Sequence, residues 1–331
     1  MYKLNQTLIL MASASAGFNN LSVKQIGKPK VAESIAVIHK SYINVIPADE
    51  SELSHSKYVP VAPSRSENIT VTQVMWCELG FDSVFVVTST QGLQVFDADA
   101  YHCLFLHSCR DSSVPRGGTY ARGITNIFSN YICVGNSGGC LRVFGTLDDS
   151  SDILFIDRKA VHQGAITDIS SFDQFIASAD SSGVIVYWEF SEEQLINLNQ
   201  IKSFGSCCVN LKLTSDWLVA GYGSGHIRLF DPTKQSKDSG QFPLLVEVAA
   251  HARWISGLDI STNLQFILTV SEDSFAKVWG IEKKNDSYII THLSSTHVTD
   301  NLLVGGRFLA SNGSQFCVTS YDNNNVYCFK K

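Results

Sequence analysis

Short apolar segments alternate with polar turns along most of this sequence. Between His251 and Gly280, polar stretches separate three apolar runs, namely Ile255–Ile260, Phe266–Val270 and Phe275–Trp279. Each run is too short for a typical helix and is rich in β-branched or aromatic residues, so the pattern predicts three antiparallel strands in a meander. A meander of this size cannot bury both of its faces alone and needs neighbours of the same kind.

The same layout recurs along the chain. Five further copies are found at Thr70–Asp97, Gly123–Phe144, Val161–Phe190, Cys207–Asp231 and Asp300–Phe329. Their second hairpin turns follow one another at intervals of roughly 40 to 50 residues, which is the period of four-stranded propeller blades. A degenerate meander near the beginning of the chain raises the predicted number of blades to seven.

One isolated strand explains how such a ring closes. Tyr2–Leu10 has no strand partner nearby, whereas the last copy ends at Phe329 without a fourth strand. A ring must close or leave an exposed edge. We therefore predict an all-β fold, a single seven-bladed β-propeller of four-stranded antiparallel blades over 1–331, closed by the N-terminal strand at 2–10. The degenerate blade covers 20–62, and the others cover 68–109, 119–158, 162–204, 206–248, 251–292 and 297–330.

The repeated unit resembles the WD repeat. In that family a His before the first strand, a Ser or Thr in the second, an Asp in the hairpin turn and a Trp in the third form a hydrogen-bonded chain. The resemblance implies a structural tetrad of His251, Thr269, Asp273 and Trp279. It also implies a partial tetrad of His162, Ser178 and Trp188, with Ser182 at the position of the Asp. A catalytic dyad of His251 and Asp273 is the alternative interpretation of the first set.

Composition narrows the class of partner and the compartment. The net charge is −6 and basic residues form no cluster of five, which argues against a nucleic-acid partner. No apolar run approaches the 18 residues of a membrane helix, and Leu8–Met11 is too short for the core of a signal peptide. The nine cysteines contain no C-x-x-C motif, so we expect free thiols. A vicinal Cys207–Cys208 disulfide is the alternative. We expect a cytoplasmic protein, with a nuclear location as the alternative.

Three short motifs could carry chemistry, and each has a structural explanation. Gly135–Gly139 matches G-x-S-x-G, but its Ser137 lies in a predicted hairpin, where glycines supply positive φ. Gly221–Gly225 resembles a phosphate loop, but no helix follows it. Cys103 and His107 share a strand face about 13 Å apart, too far for one metal ion. We predict no catalytic, cofactor-binding or metal-binding residues and no cofactor.

The remaining candidate is a binding surface. The WD-repeat resemblance implies that peptides or proteins bind where the loops before the first strands meet. In this sequence those loops include Arg122, Arg253, Trp254 and Glu272. Alignment of Gly123-Ile124 with Trp254-Ile255 places Arg122 in the loop position of Arg253. Trp and Arg are favoured anchors of protein interfaces. For Trp254 the alternative is packing against a neighbouring blade.

The predicted function is therefore a non-catalytic protein-interaction scaffold. Its partners would be proteins or peptides, bound by a monomeric propeller within larger assemblies. The alternative is a propeller enzyme or small-molecule binder that uses the central channel. Such a site needs several polar side chains on the first strands, and these strands offer mainly Asp168 and Asp259.

Overall fold

The computed structural model describes residues 1–61, 69–80, 82–109, 119–146, 152–234, 242–263, 265–285 and 287–331. Within them, 28 strands form seven four-stranded sheets, and a 3-10 helix spans Glu50–His55. The architecture is the all-β, seven-bladed propeller that the sequence predicts. The predicted blade boundaries at 62 and 68 lie outside the described residues.

The blades are numbered in chain order. Blade 1 contains β2 (Leu21–Ile26), β3 (Val31–His39), β4 (Tyr42–Pro47) and β5 (Lys57–Pro60), and blade 2 contains β6 (Val71–Leu79), β7 (Asp82–Ser89), β8 (Gly92–Asp97) and β9 (Cys103–His107). Blade 3 contains β10 (Ala121–Ile127), β11 (Tyr131–Asn136), β12 (Cys140–Thr146) and β13 (Ile153–Ala160), and blade 4 contains β14 (Ile166–Phe172), β15 (Phe175–Asp180), β16 (Ile185–Ser191) and β17 (Gln194–Ile201). Blade 5 contains β18 (Cys208–Leu213), β19 (Leu218–Tyr222), β20 (His226–Phe230) and β21 (Leu244–Ala249), and blade 6 contains β22 (Ile255–Ile260), β23 (Phe266–Ser271), β24 (Phe275–Lys284) and β25 (Ser287–His297). Blade 7 contains β26 (Leu303–Phe308), β27 (Gln315–Ser320), β28 (Asn325–Lys330) and β1 (Lys3–Ile9).

The described residues group into two compact units. One unit contains all of blades 1, 6 and 7, and the other contains all of blades 2, 3 and 4. The strands of blade 5 are divided between the two units.

Burial explains why the sequences of the second and third strands are almost continuous apolar runs. In β7 every residue from Val84 to Ser89 is buried, so both faces of that strand are covered. The fourth strands have one face open, and β13 shows no fully buried residue. Apolar β-branched residues suit the covered strands because they pack well on a pleated surface.

The N-terminal strand completes the last sheet, as predicted. β1 pairs antiparallel with β28, with Lys3 opposite Lys330 and Leu8 opposite Val326. The Leu8 side chain is fully buried, and the Tyr2 hydroxyl donates to the carbonyl of Gly313 at 2.5 Å. This contact joins the beginning of the chain to its last blade.

A β-bulge near the start of the first strand recurs in six blades. In blades 2 to 7 the register shifts there by one residue, at Val71/Gln73, Ala121/Ile124, Ile166/Asp168, Cys208/Asn210, Ile255/Gly257 and Leu303/Gly305. In three blades a hydroxyl within the bulge donates to a carbonyl of the following blade. These bonds are Thr72 to Ala121 at 2.5 Å, Thr167 to Cys208 at 2.6 Å and Ser256 to Leu303 at 2.5 Å. The bulge therefore fixes where each preceding loop ends.

Candidate functional site

The tetrad of blade 6 forms one hydrogen-bonded chain. The Trp279 indole N–H donates to the Thr269 hydroxyl at 2.9 Å, and that hydroxyl lies 2.8 Å from His251 Nε2. His251 Nδ1 lies 3.0 Å from a carboxylate oxygen of Asp273. Because an indole can only donate, the Thr269 O–H is free to donate to a neutral His251, whose Nδ1–H then donates to Asp273.

Electrostatics favours this arrangement of protons. Burial lowers the pKa of His251, and the nearby Asp273 opposes that effect without cancelling it. Burial alone would raise the pKa of Asp273, but hydrogen bonds from His251 and from the backbone N–H groups of Ala252 and Phe275 lower it to about 2. The pair is thus a neutral imidazole that donates to an ionised carboxylate. Every polar atom of the pair is used within the blade, so the arrangement braces the fold.

Blade 4 contains a complete tetrad in which the acid is not where the alignment places it. His162 Nε2 lies 2.7 Å from the Ser178 hydroxyl, which also accepts from the Trp188 indole at 2.9 Å. The carboxylate that accepts from His162 Nδ1 belongs to Asp180, at 2.9 Å, and not to position 182. Ser182 instead donates its hydroxyl to the other oxygen of Asp180 at 2.6 Å.

The two tetrads exchange an Asp and a Ser between positions two residues apart. Blade 4 has Asp180 and Ser182, whereas blade 6 has Ser271 and Asp273. Asp180 is the last residue of β15, whereas Asp273 lies in the turn after β23, and each places its carboxylate within 3.0 Å of the imidazole Nδ1 of its own blade. The available signal was an Asp two residues after Ser178, at the end of the strand.

Arg122 does not lie in the loop that the alignment assigned to it. Its structural counterpart is Ser256, because Ala121 and Ile255 occupy the same place before the bulge. The guanidinium is buried and donates to the carbonyls of Thr167 at 3.1 Å and Thr72 at 3.2 Å. Burial lowers its pKa to about 10, against the attraction of Asp168. Arg122 therefore connects strands of three successive blades, and its predicted position in a loop equivalent to that of Arg253 was wrong.

Arg253 and Glu272 lie together at the rim of one groove. The groove is lined by loops of blades 6 and 7, with Ala252, Arg253, Glu272, Asp273, Ser274, Asp300, Asn301 and Leu302. Arg253 and Asp300 are exposed, and Glu272 is half-buried. No described residue forms an ion pair with Arg253 or Glu272. The structure thus brings two of the four sequence candidates to one accessible surface and adds Asp300 and Leu302, which the sequence did not indicate.

Trp254 packs against a neighbouring blade, as the alternative interpretation proposed. A Cβ at Gly223 would lie 2.6 Å from the indole ring, so the ring covers the bare backbone of the turn after β19. The Phe18 ring lies 6.2 Å from it between centroids. Trp254 is half-buried, so part of its surface stays accessible. Removal of Trp254 would therefore disturb packing as well as the surface.

The two acids of the first strands also have structural roles. One Asp168 oxygen accepts the Leu211 N–H at 2.9 Å, and the other accepts from Gln73 at 3.3 Å. Asp259 accepts the Phe308 N–H at 2.9 Å. Each carboxylate satisfies a backbone donor of the next blade. Sequence reasoning missed Gln73, whose oxygen accepts the Gly123 N–H at 2.9 Å.

The two glycine motifs weighed for chemistry lie in hairpins, whereas Cys103 and His107 lie at the two ends of β9. Ser137 follows β11 and precedes β12, and its hydroxyl accepts the Thr119 N–H at 2.7 Å. Among the residues that the structure describes, no group of three or more His, Cys, Asp or Glu side chains could hold a metal ion. In the same residues, no helix has the length and apolar character needed to cross a membrane.

Comparison with known proteins gives matches along the full chain. A family model described as WDR54 matches residues 1–331. WD repeat-containing protein 54 of Homo sapiens is 30% identical over 339 residues, which covers 97% of this chain and 97% of that protein. WD repeat-containing protein 54 of Mus musculus is 30% identical over 341 residues, again with 97% of each chain covered.

Two solved structures share the fold at low sequence identity. A chain of the crystal structure of the mitotic checkpoint complex superposes with a TM-score of 0.74 at 13% identity, covering 99% of this chain and 95% of that chain. The WD40 β-propeller domain of Doa1 superposes with a TM-score of 0.67 at 14% identity, covering 100% of this chain and 97% of that one. Identities this low bear on the fold alone.

Proposed function

The chain belongs to the WDR54 family, and on that basis we propose that it is a non-catalytic scaffold that binds a protein or peptide partner in the groove of Arg253 and Glu272. The observation that supports the proposal most is the pairing of an accessible groove with charged side chains that form no ion pair in the described residues. The polar side chains of both tetrads, in contrast, form hydrogen bonds within their own blades.

The groove offers features that suit a peptide. Glu272 and Asp300 can accept hydrogen bonds from N–H groups of a partner. Arg253 can form a bidentate pair with a carboxylate or donate to a backbone carbonyl. Leu302 is exposed beside them and provides an apolar contact. The proposal includes a cytoplasmic location, where the propeller would join its partner in a larger assembly.

The test exchanges the charges of the groove. Arg253→Glu with Glu272→Lys keeps the net charge and leaves Trp254 in place, so the melting temperature should stay close to that of the parent. Proteins that co-purify with the parent chain from native cells, identified by mass spectrometry, should be lost with this double variant. The matched control is Glu282→Lys with Lys283→Glu, an exposed pair near the end of β24. If the groove variant retains every co-purifying protein, or if the control loses the same ones, the groove is not the binding site.

A further inference from the structure

Lysines face each other where the closing strand begins. Lys3 of β1 lies directly opposite Lys330 of β28 in the antiparallel register, and Lys331 follows. The Cβ atoms of opposed residues lie about 4.5 to 5.5 Å apart, so like charges at these positions destabilise the strand pair. All three side chains are exposed, and no Asp or Glu side chain among the described residues forms an ion pair with them. The repulsion is therefore not compensated within the described part of the chain.

The same lysines line a surface cleft. Met1, Leu4 and Asn5 complete its lining, and the Leu4 side chain is 56% exposed. β1 is the outermost strand of its sheet, so one edge of Lys3–Asn5 has no neighbouring strand among the residues that the structure describes. An open edge offers N–H and C=O groups to an extended chain. The cleft thus combines positive charge, an apolar contact and free backbone groups.

We propose that this cleft binds an extended acidic peptide segment of a partner protein. A strand added beside β1 would place a side chain next to Lys3, in the row that already runs from Gln315 through Lys330 to Lys3. A Glu or Asp at that point would turn a repulsive row into an attractive one. An apolar residue of the same peptide would cover Leu4. This surface shares no residue with the groove of Arg253 and Glu272.

The charge of the whole chain selects a short peptide over larger polyanions. An anionic membrane surface or a nucleic acid is large enough to be repelled by the whole chain as well, because the net charge of the chain is −6. That repulsion acts over the screening distance of about 8 Å at physiological salt. A short acidic peptide interacts chiefly with the side chains of the cleft itself.

Fluorescence anisotropy can test the proposal with defined probes. A labelled peptide of alternating Glu and Val should bind saturably to the full chain at low salt and more weakly at high salt. The matched peptide of alternating Lys and Val should not bind. Lys3→Glu with Lys330→Glu should weaken binding of the acidic peptide about tenfold or more, which corresponds to about 1.4 kcal/mol.

Two further variants separate binding from folding. Lys283→Glu with Lys284→Glu makes the same change of charge on the exposed hairpin of β24 and β25, and it should leave peptide affinity unchanged. The single Lys3→Glu replaces like charges with opposite charges across the strand pair, so it should raise the melting temperature while it weakens binding. The proposal is overturned if the acidic peptide does not bind or if the hairpin control loses as much affinity. Stronger binding of phosphatidylserine vesicles or of a single-stranded oligonucleotide than of the peptide would overturn it as well.

Discussion

The exchange of Asp and Ser in blade 4 leads to opposite expectations for two neighbouring substitutions. Asp180 is buried and accepts hydrogen bonds from His162, from the Ser182 N–H and hydroxyl, and from the Val184 N–H. Asp180→Ala would leave the His162 Nδ1–H buried without an acceptor, at a cost of about 1 to 3 kcal/mol. The lost charge-assisted bonds add about 1.5 to 3 kcal/mol, so we expect a total of about 2.5 to 6 kcal/mol.

Ser182→Ala is the matched comparison. The Ser182 hydroxyl donates one hydrogen bond, to Asp180, and the residue is exposed, so its loss should cost about 0.5 to 1.5 kcal/mol. Urea unfolding followed by tryptophan fluorescence measures both values, since Trp188 lies in the same tetrad. A cost for Ser182→Ala equal to that of Asp180→Ala would show that the acid has been assigned wrongly. A cost below about 1 kcal/mol for Asp180→Ala would refute the reasoning outright.

Three further outcomes are expected. Deletion of Met1–Leu10 removes the strand that completes blade 7 and should cause aggregation or a large fall in melting temperature; a monomeric elution profile with unchanged melting would contradict this. A thiol assay on denatured, unreduced chains should count close to nine thiols, whereas in the folded protein the exposed Cys103 should react first; a denatured count lower by two or more would indicate a disulfide. Acid should destabilise the fold, because Asp180 and Asp273 have pKa values of about 2 when folded against an ordinary 3.8. Each carboxylate contributes about 2 kcal/mol of stability above pH 4, and this contribution is lost as the pH falls toward 2. Burial lowers the pKa of His251, so the unfolded chain binds this proton more readily and stability begins to fall below about pH 6.5. Melting temperatures across this range check the last expectation, and Asp273→Asn should flatten the profile.

Strands and blade number could be predicted because their causes are local. Period-two burial, β-branched residues and polar turns are each visible within about ten residues, and the repeat multiplies the signal. Closure by Tyr2–Leu10 followed from counting strands, since an unpaired strand and an incomplete blade explain each other. The tetrad of His251 could be predicted because all four residue types occupy the positions that the WD repeat gives them.

The register of individual side chains was less predictable. The apolar Ile124 was matched to the apolar Ile255, but the small Ala121 is the residue that occupies that place. Apolar residues recur every third position in β10, at Ala121, Ile124 and Ile127, so the apolar pattern did not show which of them begins the strand, and the loop before β10 was assigned too many residues. Burial of Arg122 was hidden for a related reason, since its acceptors are backbone carbonyls 45 and 50 residues away in sequence. Such contacts follow from how neighbouring blades stack, which a single repeat does not encode.

The closing strand also has a consequence for how the chain is made. The hydroxyl of Tyr2 and its acceptor Gly313 are separated by 311 positions in sequence. Contacts of such high sequence separation slow folding much more than they reduce stability, because the entropy of loop closure grows only with the logarithm of loop length. During synthesis β1 emerges first, yet its partner β28 emerges last. Until they pair, β28 presents an open edge, and an open edge can pair with another chain. The interval between the emergence of β28 and its pairing with β1 is therefore when this protein most needs protection from aggregation.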